Sequence, residues 1–388
     1  MTMQQLAERM NAIQPFHVMS LLARAKQLEA QGNSIIHMEI GEPDFPTPAP
    51  VATAGMRAIQ AAKTQYTPAC GLPALREKIT AWYQQRFQVN IPAERIIITP
   101  GASGALQLVL GVLINPGNEI LLTDPGYPCN RNFVRLFEGK AVEIPVSAAQ
   151  NYQPTLEDIQ SYWTEHTIAA LLASPANPSG TVLSQPQIQS FHQAISQKNG
   201  ALIIDEIYQE LIYDQTAFTA LNVADDIWIV NSFSKYFGMT GWRIGWLVAP
   251  EYALDALNRL AQNIFLSPST PGQYAALAAF EAETLDITEQ RRAEFAQRRN
   301  FLLPALQELG FSITAEPQGA FYIYAGSERF GEDSHQLSLT MLEQAGVAFT
   351  PGIDFGANQS RQHVRFAYTT SIEQLEQAIE RLAKHLPR

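Results

Sequence analysis

Along the middle of the chain, short runs of apolar residues recur between longer mixed stretches. Residues 95–99 (Arg-Ile-Ile-Ile-Thr), 119–123, 169–173, 201–204 and 227–230 are five such runs. Each is short and bounded by turn residues, which reads as a strand. A strand apolar on both sides is buried on both sides, so the pattern predicts a largely parallel sheet clad in helices. A helical apolar stretch follows the first run from Ala105. Each run stops at a polar or turn-forming segment: Pro100-Gly101-Ala102-Ser103-Gly104, Asp124-Pro125-Gly126-Tyr127-Pro128, Ser174-Pro175-Ala176-Asn177-Pro178, Asp205-Glu206-Ile207-Tyr208, and a lysine-bearing loop over 232–245. In open α/β sheets the ligand lies outside the carboxyl ends of the strands. These segments are therefore expected to converge on one site.

The last hundred residues follow a different pattern. Residues 290–309 read as a long charged helix, and 321–324 and 364–368 as short strands. In the second of these, Val364, Phe366 and Tyr368 share one face and leave Arg365 on the other. Ile372, Leu375, Ile379, Leu382 and Leu386 step by three and four, which closes the chain with an amphipathic helix. A helix over about 20–31 is expected to join this unit. The fold expected is α/β: a large domain over 46–284 with a mostly parallel sheet flanked by helices, plus a smaller α+β domain from 1–45 and 285–388.

Composition narrows the function. At 388 residues, 46% hydrophobic and 16% charged, the chain suits a globular enzyme. Lys and Arg number 26 against 37 Asp and Glu, a formal charge of -11. That balance disfavours sequence-independent nucleic-acid binding. Cys70 and Cys129 make neither a disulfide framework nor a metal pattern, which points to a reducing cytoplasm and no metal. The start of the chain carries no apolar signal core, and the most apolar stretch, 106–114, is too short to span a bilayer.

The most informative segment is Ser232-Phe233-Ser234-Lys235-Tyr236-Phe237-Gly238-Met239-Thr240-Gly241-Trp242-Arg243-Ile244-Gly245. A lysine in a Gly/Ser loop is ordinarily a solvated surface residue. Here small residues, hydroxyls and a fixed cation surround it. A lysine that bonds a phosphorylated aldehyde needs these parts: a desolvated amine near another cation, and hydroxyls and a guanidinium for the phosphate.

Taken with Gly41-Glu42-Pro43-Asp44-Phe45, Tyr66-Thr67-Pro68-Ala69-Cys70-Gly71-Leu72, Asn177-Pro178-Ser179-Gly180, Asp205-Glu206-Ile207-Tyr208 and Arg365, the chain resembles the class I/II aminotransferases of fold type I from about residue 35 onward. These enzymes use pyridoxal 5'-phosphate (PLP). The resemblance implies that Lys235 carries the cofactor as a Schiff base and then acts as general base. It implies that Asp205 faces the pyridine nitrogen, and that Tyr208 and Asn177 face the phenolic oxygen. Tyr127 would stack on the ring, and Ala102, Ser103, Ser232, Ser234 and Arg243 would hold the phosphate. Arg365 would bind the substrate α-carboxylate, beside Asn177 and Gly41, where the backbone lets the substrate approach. Tyr66 and Ser267 would reach the phosphate of a neighbouring subunit, so the partner expected is a second copy of the chain.

The reaction implied is ping-pong transfer of an α-amino group between an L-amino acid and a 2-oxoacid. A PLP-dependent C–S β-lyase of the same fold is the alternative. A sensor using the fold for effector binding would want a DNA-binding module ahead of it, and about thirty residues precede the resemblance. Aspartate-preferring members often place a lysine where this chain has Ser103. Phe16, His17 and Met19 also suit a second anion poorly. A neutral or bulky donor (alanine, methionine, an aromatic) is therefore as well suited, with 2-oxoglutarate or pyruvate as acceptor.

Overall fold

In a computed structural model the chain is described over residues 6–387. In chain order its strands are β1 (Ile36–Met38), β2 (Ile96–Thr99), β3 (Glu119–Asp124), β4 (Lys140–Pro145), β5 (Thr167–Ala173), β6 (Ala201–Asp205), β7 (Trp228–Ser232), β8 (Gly245–Val248), β9 (Tyr322–Gly326), β10 (Val347–Pro351) and β11 (His363–Ala367). Among the described residues these form a seven-stranded sheet, ordered β2-β8-β7-β6-β5-β3-β4, and a four-stranded sheet, ordered β1-β10-β11-β9. The architecture is mixed α/β, with helices flanking the larger, mostly parallel sheet.

The five apolar runs became β2, β3, β5, β6 and β7, and the last four of these pair in parallel with one another and with β4. Four strands were not anticipated: β1 and β10 of the smaller sheet, and β4 and β8 of the larger. β4 is an edge strand with mostly part-exposed positions, so its apolar signal is diluted. β8 is fully buried and runs antiparallel between β2 and β7. Because β8 opposes both neighbours, β2 runs the same way as β7. The loops after β2, β5, β6 and β7 therefore leave the sheet on one edge, where Gly245 pairs with both Thr99 and Ser232.

Some boundaries differ from the expected ones. The helix after β2 spans Gly101–Leu113, so the glycine segment is its first turn rather than a loop ahead of it. The long charged helix begins at Ala282 and ends at Leu309, where Gly310 takes φ 104°. Its charge pattern hides two buried cations, Arg298 and Arg299. The first α-helix, His17–Ala30, sets Leu21, Ala25 and Leu28 against Leu342 and Ala348 of the smaller sheet layer. Its own N-cap residue offers no side chain. Instead Asp354 accepts from the His17 and Val18 amides at 2.7 and 2.8 Å, an anion at a helix N-terminus.

Candidate active site

A cavity of about 420 Å³ opens beyond the common strand edge. Lys235 reaches it from the loop after β7, and its Nζ donates to the Gly41 carbonyl at 2.6 Å. Burial pulls this amine down to about 8; Glu42 opposes the shift, Arg365 and Arg243 add to it, and Asp205 opposes it. A lysine so placed is partly neutral near pH 7, which an ordinary lysine is not.

Asp205 ends β6 and is 6% exposed. Its Oδ1 accepts from the Ile207 amide at 3.1 Å, and burial pushes the carboxyl up to about 6 against that bond and the pull of Lys235. A buried carboxylate on a cavity wall, with one backbone donor, is poised to meet a cationic N–H from a ligand. Tyr208 lies three residues on, its hydroxyl 2.8 Å from that of Tyr322. Tyr127 lines the same cavity at the start of the Pro128–Leu136 helix.

One end of the cavity is built for an anion. No side chain caps the Gly101–Leu113 helix, whose first residues Ala102 and Ser103 line the wall. Uncapped first-turn amides point partial positive charge outward. Ser234, Thr240 and the exposed Arg243 line the same cavity. Arg243 adopts φ 55°, and its guanidinium packs so close to Gly101 that a Cβ there would collide with it. A Cβ at Gly245 would meet the backbone of Gly101 and Ala102 at 2.6 and 2.8 Å, so this glycine lets β8 and the helix start approach.

Arg365 points in from β11 and is 5% exposed. Its Nη1 donates to Asn177 Oδ1 at 3.0 Å and its Nη2 to the Glu39 carbonyl at 2.6 Å. The guanidinium lies 4.3 Å from the Tyr322 ring centre and 4.8 Å from that of Phe355. Among the described residues no carboxylate pairs with it, and its Nε has no partner. A buried cation held only by neutral groups is a receptor for an anion.

Gly41, Asn177, Ser234 and the other residues above meet in this cavity; Ser232, expected to line it, does not, and Tyr66 and Ser267, expected to serve a neighbouring subunit, lie outside it. Ser232 is 1% exposed and stands behind Ser234, donating to Ser234 Oγ at 2.8 Å and to the Ile244 carbonyl at 3.1 Å. It supports the loop rather than lining the site. Tyr66 is 79% exposed and away from this chain's cavity, and half-buried Ser267 does not line it either. Gly41 has a further reason to be glycine: a Cβ there would strike the Tyr322 hydroxyl. Thr240 and Tyr322 were missed in the sequence, since a loop threonine and a strand tyrosine carry no signal of their own. Phe16 and Met19 line the cavity with Val18 and Leu22, whereas the His17 ring turns to His335 at 5.0 Å.

Among the described residues no cluster of His, Cys, Asp or Glu could hold a metal, and no helix is long and apolar enough to cross a membrane. The family model for aminotransferase class I and II matches residues 33–382. The chain is 35% identical to the (5-formylfuran-3-yl)methyl phosphate transaminase of Methanocaldococcus jannaschii, over 98% of this chain and 99% of that one. It is 32% identical to the valine–pyruvate aminotransferase of Mycobacterium tuberculosis, over 97% of each. A solved single mutant of the Thermus thermophilus aspartate aminotransferase superposes with a TM-score of 0.93 at 32% identity, covering 99% of this chain and 100% of that one.

Proposed function

We infer the mechanism from one premise: the chain belongs to the class I and II aminotransferase family. It is an enzyme that moves an amino group between an amino acid and a 2-oxoacid. For its cofactor we propose pyridoxal 5'-phosphate. The fit rests on three features of one cavity: a lysine drawn down to about 8, a buried carboxylate with a free side, and an uncapped helix start beside Arg243. When bound, that cofactor supplies an aldehyde for amine exchange and a protonated ring that takes up the electron pair left when Cα loses its proton.

The chain's own residues do the rest. Ala102, Ser103, Ser234, Thr240 and Arg243 hold the phosphate by amides, hydroxyls and charge. Asp205 keeps a proton on the ring nitrogen, because a buried anion there favours the cation beside it. Tyr208 and Asn177 would offer hydrogen bonds to the cofactor's phenolic oxygen, and Tyr127, lining the same cavity, would cover its ring. Arg365 grips the substrate carboxylate in a two-pronged pairing and thereby turns Cα–H toward Lys235. The Lys235 amine would then take up the proton from the substrate Cα and carry it as the general base of the site.

The observation that carries this reading is the buried Arg365 guanidinium, without a carboxylate among the described residues, facing the same cavity as Lys235. The cations lining the cavity are Lys235, Arg243 and Arg365, all assigned above, while Phe16, Val18, Met19 and Leu22 form an apolar wall. A neutral, apolar donor side chain fits that wall better than a second carboxylate. Tyr66 bears on assembly. Thr270 Oγ1 donates to the Gln65 carbonyl at 2.6 Å, which ties the segment bearing Tyr66 to the start of the Thr270–Leu277 helix, and Tyr66, Ile264 and Leu266 are all exposed. Large apolar side chains left exposed support a homodimer in which Tyr66 and Ser267 complete the partner's site. We also place the domain boundaries at 46–284 and at 1–45 with 285–388, since β2 to β8 fall inside the first range and the other strands outside it. The free, half-buried cysteines support a cytoplasmic setting.

The test mixes PLP-loaded protein with single amino acids and measures 2-oxoacid formed against cofactor converted to its amine form. Methionine, leucine or phenylalanine should convert both in equal amounts, faster than aspartate. Ammonia and pyruvate released from a cysteine conjugate, with the cofactor left as aldehyde, would instead identify a β-lyase.

A further inference from the structure

Tyr322 stands between the two halves of the site. On β9, paired with β11, it places its ring under the Arg365 guanidinium at 4.3 Å and its hydroxyl 2.8 Å from the Tyr208 hydroxyl. Both tyrosines are buried, at 1% and 4% exposure, so water does not mediate the contact. The Tyr322 hydroxyl fills the space that a Gly41 side chain would need, and the Gly41 carbonyl in turn accepts from Lys235. A phenol here could have been a phenylalanine as far as packing is concerned. Its hydroxyl is what the neighbouring glycine makes room for.

Two hydroxyls at this distance share one proton, so one donates and the other accepts. The cation over its ring makes Tyr322 the better donor of the pair. If Tyr208 gives its own proton to a ligand oxygen, it must accept from Tyr322, and a phenol that accepts a hydrogen bond donates a stronger one. We propose that Tyr322 is a positioning residue that links the carboxylate-binding Arg365 to the Tyr208 hydroxyl and strengthens the hydrogen bond Tyr208 offers to the cofactor's phenolic oxygen. The proposal rests on the PLP reading above.

The test is the pH midpoint of the absorbance change of PLP-loaded protein, read in the parent, Tyr322→Phe, Tyr208→Phe and the double variant. Glu39, Glu42, Tyr127, Asp205, Arg243, Asp354 and Arg365 face the same cavity and are unchanged in all four proteins. A phenolic oxygen with a weaker donor holds negative charge less well, so the proton it shares with the Lys235 nitrogen leaves at higher pH. Y322F should raise the midpoint by about half a pH unit, while KM for the amino acid changes less than about threefold because the ring under Arg365 remains. In the Y208F background the same change should move the midpoint no further, as expected of a residue acting through Tyr208. An unmoved midpoint in Y322F, or an equal shift with Tyr208 already removed, overturns the proposal and leaves the PLP reading intact. A parent that takes up no PLP overturns both.

Discussion

Of the guanidinium groups buried in the C-terminal part of this molecule, those of Arg298 and Arg365 have opposite surroundings. Arg298, on the Ala282–Leu309 helix, is 1% exposed. Asp44 accepts from its two terminal nitrogens at 2.7 and 3.0 Å, and Glu294 accepts at 2.6 Å. Its flat faces rest on Phe45 and Phe295 at 4.9 and 5.3 Å. Arg365 also lies over aromatic rings and is equally enclosed, yet its oxygen partners are an amide, a carbonyl and the Thr350 hydroxyl. Burying a charge is costly unless it is paired. Arg298 is paired within the chain and ties the Gly41–Phe45 segment to the long helix. Arg365 has no carboxylate among the described residues and, on the function proposed above, takes its anion from the substrate. The fold satisfies one cation for its own sake and leaves the other for chemistry.

The sharpest way to break this contrast is Arg365→Lys. A lysine keeps the charge and loses the planar fork, so kcat/KM for an amino acid should fall about a thousandfold, roughly 4 kcal/mol. PLP affinity and the urea midpoint should stay close to those of the parent. Equal losses for substrate and cofactor would show that Arg365 shapes the whole cavity rather than binding one carboxylate.

Arg298→Met reverses the expectation. It strands Asp44 and Glu294, which are partly exposed and regain some water, so the cost should lie near the low end for a broken buried pair, about 3 kcal/mol in urea unfolding. Turnover per folded molecule should change only a few-fold. A stable but inactive R298M protein would place Arg298 in the catalytic machinery and erase the distinction.

A ligand can stand in for the missing partner. A monocarboxylate such as 4-methylpentanoate, at about a hundred times its dissociation constant, should stabilise the parent by about 2.7 kcal/mol, read as a rise in Tm. R298M should respond as strongly as the parent, and Arg365→Leu should not respond. An R365L protein that still gains stability would mean that the anion binds elsewhere, with the Arg243 end of the cavity the first place to look.

The same contrast explains what could be read from sequence. Lys235, Asp205, Tyr208 and Asn177 were legible because each follows a buried apolar run, and strand ends in a parallel sheet gather on one edge. Arg365 was legible from two-residue alternation within β11. The burial of Arg298 was not, because a charged helix reads as a solvated one, and its partner Asp44 lies 254 residues away in the chain. Ser232 and Ser234 are alike in sequence, and only the loop's fold sets one hydroxyl behind the other. Tyr322 resembled any core aromatic of a strand. No strand was expected over β8, whose first residue closes the lysine-bearing loop, and its antiparallel course is what aligns β2 with the rest. Tyr66 and Ser267 lie outside this chain's cavity, and a role for them rests on the homodimer proposed above.

Adjacent carboxyls repeat the comparison with the sign of charge reversed. Asp205 opens on the cavity, whereas Glu206 is 1% exposed and closed in by Thr219 and the Ala220 amide, which donates to it at 2.6 Å. Burial pushes Glu206 up to about 8, despite its donors. In the unfolded chain a glutamate titrates near 4.3. Between those values the native state holds a proton that the unfolded state has lost, so stability is greatest below the unfolded pKa and falls as pH rises toward about 8. Glu206→Gln keeps an acceptor for the Ala220 amide and cannot ionise. It should flatten the decline between pH 6 and 8 by about 2 kcal/mol, with Glu210, raised to about 7, still contributing a decline of its own. Loading with PLP should leave this difference between E206Q and the parent unchanged, because Glu206 faces no ligand. At Asp205 it should not: there a bound cation would offset the cost of ionisation, and the pH dependence of Asp205→Asn should differ between loaded and unloaded protein. Parallel stability curves for E206Q and the parent would show that Glu206 does not hold its proton in the native fold, and the closed carboxyl would then be no counterpart to the open one.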